Sequence, residues 1–426
     1  MKQISVVIIG AGNRGCIYAR RMRELPGNPY KVVAVADPVK TGREEIRRMY
    51  DLPESACYEK WEDLLEQPRL ADLAVIATKD DMHYLPAMRA IEKGYNLLLE
   101  KPAAQTAREC VDIAVAAKRK GVIALVCHVM RYTAFFGTIK DLLMAGTIGD
   151  VVSIEQIEGV GNLTFCHAYV RGNWCREADA TPMLMAKCCH DLDMIQWLLD
   201  KPCTKVQSFG SLFHFKPENA PEGAPKRCTD GCPVADTCPY NSIRYYYEDK
   251  NKRQIITHGI SKSLEPTDEE TMQALKTTDY GLCAYRANND VADHQTVNME
   301  FAGGVTATLI VNAFNQGGRH IRIFGTKGEL FAYRADSEIN VYTFEDQRKW
   351  TVSVPKTDET LEGGHGGGDK GIVRELYEYM CGDYTGCRIA DIQESVRNHM
   401  IGFAAEESRH TDTVVNLQKF SEKYGF

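Results

Sequence analysis

Short apolar runs at residues 4–9, 32–36, 73–77, 97–99 and 122–126 punctuate the first third of the chain, rich in Val, Ile and Leu. Between them lie amphipathic stretches, as where Tyr18, Met22 and Leu25 recur at helical spacing. Strands alternating with helices predict a parallel, doubly wound sheet. Beyond about residue 150 the pattern changes to longer alternating runs, at residues 151–157, 296–301, 305–311 and 321–324, with a Gly303-Gly304 turn. Alternation of that kind predicts an open, mainly antiparallel sheet, and residues 371–380 and 395–409 read as helices. The fold class is therefore α/β with two sheets. The change of character falls near residues 130–149, where Gly146 to Asp150 forms a turn signal. We divide the chain into residues 1–125 and 126–426.

Composition changes this picture little but excludes several functions. A chain of 426 residues with 44% hydrophobic and 26% charged residues is folded and has two or three domains. Its 51 basic against 58 acidic residues give a net charge of -7, which offers no field for nucleic acid. The apolar start is too short to span a bilayer and has no small-residue cleavage site, so no membrane partner and a cytoplasmic location are expected. The 15 cysteines are odd in number and dispersed, which reads as mostly reduced thiols.

The first motif with chemistry is Gly10-Ala11-Gly12-Asn13-Arg14-Gly15, directly after the strand at 4–9. Gly10 suits a tight turn, Gly12 lets backbone amides approach a pyrophosphate at a helix N-terminus, and Gly15 lets that helix pack closely on the strand. The next strand ends in Asp37, about 20 residues further on, where a carboxylate accepts hydrogen bonds from an adenosine ribose. This is a Rossmann signature, and an acid at that position repels a 2′-phosphate, so NAD is the expected cofactor in preference to NADP. A second motif, Glu100-Lys101-Pro102, ends the strand at 97–99 on the carboxyl edge of the sheet, where open α/β folds place ligands.

With Thr78 to His83 and His190-Asp191-Leu192-Asp193 these motifs follow in an order that resembles the Gfo/Idh/MocA family of NAD(P)-dependent oxidoreductases, as does Ala405-Glu406-Glu407-Ser408 near the end. The resemblance implies hydride exchange between nicotinamide and a secondary alcohol carbon, most often of a sugar or cyclitol. It places Gly10, Gly12, Asn13, Arg14, Gly15, Asp37, Thr78, His83, Glu100 and Lys101 at the cofactor, and Lys101 and His190 as the proton-handling pair. It also implies a homo-oligomer that covers one face of the second sheet. The family commonly has an Asp four residues before the histidine; here Ala186 stands there with Lys187 beside it. Lys187 then either binds an anionic group of the substrate or acts with His190, unless it is a solvated lysine. Asp193, one helical turn beyond His190, orients or caps at the substrate side.

A run Gly363-Gly364-His365-Gly366-Gly367-Gly368-Asp369 resembles a His-Gly-Gly segment of NAD-dependent glycosidases related to that family, with Asp369 expected to cap the helix that follows. His365, His294 in Asp293-His294-Gln295, Arg171 and Trp174 are candidate sugar contacts. Cys228, Cys232 and Cys238 lie in a Pro- and Gly-rich stretch at 216–240, and with Cys189 they form a candidate zinc or iron–sulfur site, free thiols being the alternative. Three functions follow from these readings: an NAD-dependent carbohydrate oxidoreductase, a redox-assisted glycosidase that retains and regenerates its NAD, and an NAD-binding sensor without turnover.

Overall fold

The computed structural model describes residues 2–257, 265–355 and 365–426. The first apolar runs become β1 (Ile4–Ile9), β2 (Tyr30–Ala36), β3 (Cys57–Tyr58), β4 (Leu73–Ile76), β5 (Asn96–Leu99) and β6 (Ala124–Val126). They form one parallel sheet in the order β3-β2-β1-β4-β5-β6. All four residues of β4 are buried, as expected of a strand covered on both faces. Because β1 pairs with β2 on one side and β4 on the other, a crevice opens at the carboxyl ends of β1 and β4.

The second sheet holds β7 (Val151–Gly159), β8 (Cys203–Ser211), β9 (His294–Phe301), β10 (Thr306–Asn312), β11 (Gly318–Gly325), β12 (Gly328–Tyr333), β13 (Glu338–Thr343), β14 (Lys349–Ser353) and β15 (Val415–Asn416). Its order is β14-β13-β12-β11-β7-β10-β9-β8-β15, parallel between β7 and β10 and antiparallel at the other junctions. The mainly antiparallel expectation holds. Alternation assigns the faces: Ile154, Met299, Leu309, Ile323 and Leu330 are buried on one side, while Phe209 and Phe331 on the other are 55% and 44% exposed.

Five helices position the site: α1 (Asn13–Glu24), α2 (Ala107–Lys120), α3 (Met183–Leu199), α4 (Gly368–Cys381) and α5 (Ile392–Thr411). The start of α2 is fixed by a capping box, in which Thr106 accepts from the Glu109 amide and Glu109 accepts from the Thr106 amide. Helix α3 packs against β7 and β10, and α5 crosses both α3 and α2, so the two sheets share a core. Helix α4 instead returns to the first sheet, where Ile372, Val373 and Leu376 join Ile8, Tyr18 and Met22 in one buried cluster. The Tyr30 hydroxyl donates to the Val373 carbonyl at 2.8 Å, and Leu125 pairs with Asp391.

Candidate active site

Strand β1 runs into the glycine turn and then directly into α1. Gly10 has φ +91°, and a Cβ there would stand 2.5 Å from the Ala77 carbonyl oxygen; at Gly15 it would stand 1.9 Å from the Gly10 carbonyl oxygen. At Gly12 it would meet nothing within 4 Å. No side chain caps α1 and no acid occupies its first turn, so its leading amides point into the open crevice, an arrangement that fits a pyrophosphate. Asn13 opens the helix and is exposed. Asp37, just past the end of β2, accepts from the Ala11 amide at 2.6 Å and the Val39 amide at 2.7 Å, which holds its carboxylate beside the turn. These residues fit a dinucleotide.

Arg14 points across the crevice. Its Nε lies 2.6 Å from Glu100 Oε1 and its Nη2 2.7 Å from Asp369 Oδ1, with Tyr18 donating to Glu100 at 2.6 Å. Burial alone would raise the Glu100 carboxyl, but the Arg14 and Lys101 charges and the Tyr18 hydrogen bond outweigh it and hold it at about 2. Burial is likewise overcome at Asp369 by hydrogen bonds from His365 and Arg14, and its carboxyl lies well below the usual range. Asp369 does not cap α4: the cap position is Gly367, at φ +85°, and Asp369 sits inside the first turn facing Arg14. Arg14 thus joins the two halves of the chain through two carboxylates.

Lys101 precedes a cis peptide bond to Pro102, and its Nζ donates to the Ala186 carbonyl at 2.8 Å. Ala186 and His190 are one turn apart on α3, so Lys101 and His190 meet on one helix face. His190 is 6% exposed, and its Nδ1 has no hydrogen-bond partner among the described residues. Burial, then the charges of Lys101, His128, His365 and Arg319, push its pKa well below the ordinary value, so it is neutral and able to accept a proton. The His365 ring lies 6.1 Å from that of His190, and its Nδ1 is 3.1 Å from Asp369 Oδ2. Lys101, His190 and His365 are therefore brought together. Lys187 is held by Glu158, at 3.3 Å from Oε1, rather than solvated.

Several candidates stand elsewhere. His83 is fully buried with its ring nitrogens 2.7 Å from the Pro102 carbonyl and 3.2 Å from that of Thr78, so it fastens the Thr78 loop to the Lys101 turn. Thr78 itself donates to Met82. Asp193 is fully buried and receives Arg131 bidentately at 2.8 and 2.6 Å, which makes it a structural anchor and removes it from the substrate side. Arg171 is buried and donates to the carbonyls of Leu282 and Tyr240, so it is a strut under the cysteine-rich stretch instead of a sugar contact. Trp174 donates to Asp80 across the domain junction at 3.0 Å. His294 contacts Asp293 and the Phe213 ring, away from the His190 cluster.

The metal expectation is corrected. Cys228, Cys232 and Cys238 line a small pocket with Cys283, whereas Cys189 lies on α3 in the field of Lys101 and Asp80. All fifteen cysteines are free, and among the described residues no group of three or more His, Cys, Asp or Glu is placed to hold a metal ion.

Sequence reasoning missed His128, Glu158, Asp191, Arg319 and Arg334. His128 follows β6 at its carboxyl end, the same signal that singled out Glu100, and its ring lies 6.1 Å from His190 and 5.6 Å from His399. His399 accepts from the Ala103 amide at Nε2, so its proton is on Nδ1, facing the Ser395 carbonyl. Glu158 and Arg319 come from β7 and β11, and only the pairing of those strands sets them beside α3.

The model of an oxidoreductase family with an NAD-binding Rossmann fold, Gfo/Idh/MocA, matches residues 4–128, and that of its C-terminal α/β domain matches residues 140–417. YteT of Bacillus subtilis (strain 168) is 24% identical over 319 residues, 72% of each chain. The 2,7-anhydro-N-acetylneuraminate hydratase of Escherichia coli (strain K12) is 26% identical over 223 residues, 50% of this chain and 55% of that one. A solved levoglucosan dehydrogenase in complex with NADH and L-sorbose superposes with a TM-score of 0.70 at 17% identity, covering 98% of this chain and 99% of that one. Among the described residues no helix is long and apolar enough to cross a membrane.

Proposed function

The chain belongs to the Gfo/Idh/MocA oxidoreductase family, and on that premise we propose that it moves a hydride between NAD and a secondary alcohol carbon of a carbohydrate. The observation that carries this reading is the pairing of Lys101 with a buried, neutral His190 whose Nδ1 has no partner among the described residues, beside a crevice that fits a dinucleotide. NAD, when bound, supplies the hydride acceptor. His190, neutral because its pKa is pushed down, is placed to take the hydroxyl proton, and Lys101 steadies the charge that develops on the substrate oxygen. Glu100, kept ionised, orients Arg14 and accepts from the Lys101 amide at 2.9 Å, which fixes the turn that carries Lys101.

The redox-assisted glycosidase is the second reading, favoured by His365. Backed by Asp369, it is a second proton-transfer group within 6.1 Å of His190, which an elimination and re-addition sequence requires and simple oxidation does not. The curated hydratase is named for an anhydro sugar, which suits either carbohydrate reading. A cytoplasmic location is supported by the free thiols, and a homo-oligomer by the apolar residues Phe209 and Phe331 on the outer face of the second sheet.

The experiment follows NADH absorbance and aglycone release with free sugars and chromogenic glycosides. Steady NADH from free sugar supports the dehydrogenase, and aglycone release without net NADH supports the glycosidase. His190→Ala is expected to lower turnover by about 10²- to 10⁴-fold with NAD affinity retained, and Lys101→Ala by a similar factor. Full activity of His190→Ala in every assay removes the assignment.

A further inference from the structure

Beside His190 the protein holds more cations than it neutralises. Lys187 Nζ takes one oxygen of Glu158 at 3.3 Å, and Arg319 Nε lies 2.9 Å from the other. Arg319 also grips Asp191, at 2.8 Å through Nε and 3.1 Å through Nη2. Both carboxylates are thereby engaged by these two cations. A third cation, Arg334, stands in the short turn Arg334–Asp336 at the end of β12. It is half-buried and makes no hydrogen bond or ion pair among the described residues, although Arg319, Glu158 and Asp191 are near enough to act on its charge. Burial and the repulsion of Arg319 both disfavour its charged form.

Its position points to a ligand. A Cβ on Gly366 would lie 3.2 Å from Arg334 Nη2, so the guanidinium rests on the glycine backbone next to His365. The His365 ring in turn lies 6.1 Å from His190, whose buried Nδ1 is without a partner among the described residues. A guanidinium kept partly out of water with its donors unspent is costly unless an oxyanion completes it, and its planar fork matches a carboxylate or phosphate bidentately. Lys101, whose Nζ donates to the Ala186 carbonyl, adds a fourth positive charge to the same side of the crevice.

We propose that the substrate is an anionic sugar whose oxyanion is seated on Arg334, the charge left over once Glu158 and Asp191 are matched by Lys187 and Arg319. This rests on the hydride-transfer reading of the same crevice. It also relocates the anion-binding role that the sequence offered to Lys187: that lysine is occupied by Glu158, and Arg334 is the group left with donors to give.

Two measurements test it separately from that reading. Calorimetry on the NADH-loaded protein compares glucose with galacturonate, gluconate and glucose 6-phosphate. At least one of the three anionic probes is expected to bind more tightly than glucose, and whether the sugar acids or the phosphate ester lead tells which oxyanion is preferred. Arg334→Gln is expected to weaken the best anionic probe by about 10- to 100-fold, the worth of a charge-assisted pair, and Arg334→Lys to recover part of the loss. NADH affinity serves as the folding control. Glucose binding as tightly as every anionic probe, or Arg334→Gln leaving the best anionic probe unaffected, overturns the proposal. Turnover with NAD judges the other reading: anion binding through Arg334 without hydride transfer to or from any sugar would leave the seat standing and remove the dehydrogenase.

Discussion

At Asp37 both carboxylate oxygens already accept backbone amides, from Ala11 and Val39. The carboxylate is therefore held in place before any nucleotide arrives, and its charge opposes a 2′-phosphate. NAD is expected to bind much more tightly than NADP, and Asp37→Ser to narrow the gap; equal affinities measured on the intact protein would contradict this. The buried histidines lead to a second expectation. His128, His190 and His399 all have pKa values pushed down, chiefly by burial, that of His399 to about 3. Unfolded, each titrates near 6.5, so the unfolded chain binds more protons below that pH. Their contribution is complete above about pH 6.5 and is lost as pH falls toward the folded values, at roughly 1.4 kcal/mol per histidine per pH unit. Urea midpoints are expected to be flat near pH 7 to 8 and to fall steeply below pH 6. His128→Gln should make that fall shallower, and stability unchanged down to pH 5 would show that these rings are charged in the fold.

At the scale of elements, what was legible in the sequence was local. The glycine turn, the strands flanking it and the Asp37 position depend on neighbours a few residues away, and they form β1, α1 and β2 as expected. Strands β8 and β12 to β14 were not legible because β8 carries Thr204, Lys205, Gln207, Ser208 and Gly210 and the others are only five or six residues long, so that pairing rather than propensity makes them strands. The Arg14–Asp369 contact spans most of the chain and leaves no periodic trace. The three glycines of the turn also separate folding from binding. Gly15→Ala forces a Cβ to 1.9 Å from a carbonyl oxygen and is expected to cost about 1–3 kcal/mol or more of stability. Gly12→Ala has open space and is expected to keep the melting temperature within a few degrees while weakening NADH binding at least tenfold, since its methyl enters the pyrophosphate seat. Fluorescence titration with NADH and thermal melts distinguish the two; a Gly12→Ala variant that binds normally would place the pyrophosphate elsewhere.

For the whole molecule, the return of α4 to the first sheet matters most. The two halves meet through Arg14, Glu100 and Asp369 at the crevice and through Ile372, Val373 and Leu376 behind it, so residues from beyond position 365 complete the dinucleotide domain. A ribosome adding residues one at a time thus exposes β1, β2 and the inner side of α1 long before their cover exists. Tyr18 and Met22 must wait for residues 368–381, with more than half the chain still to be made when β6 emerges. A fragment ending at residue 130 is expected to be aggregation-prone and to show no NADH binding, although it contains every glycine of the turn. Supplying residues 365–391 as a separate peptide should recover solubility, measured by sedimentation. A soluble, NADH-binding fragment would show that the cover is dispensable. If it is not, the half-made protein is a client for chaperones throughout most of its synthesis, and the last helices to appear decide when the first sheet becomes a working one.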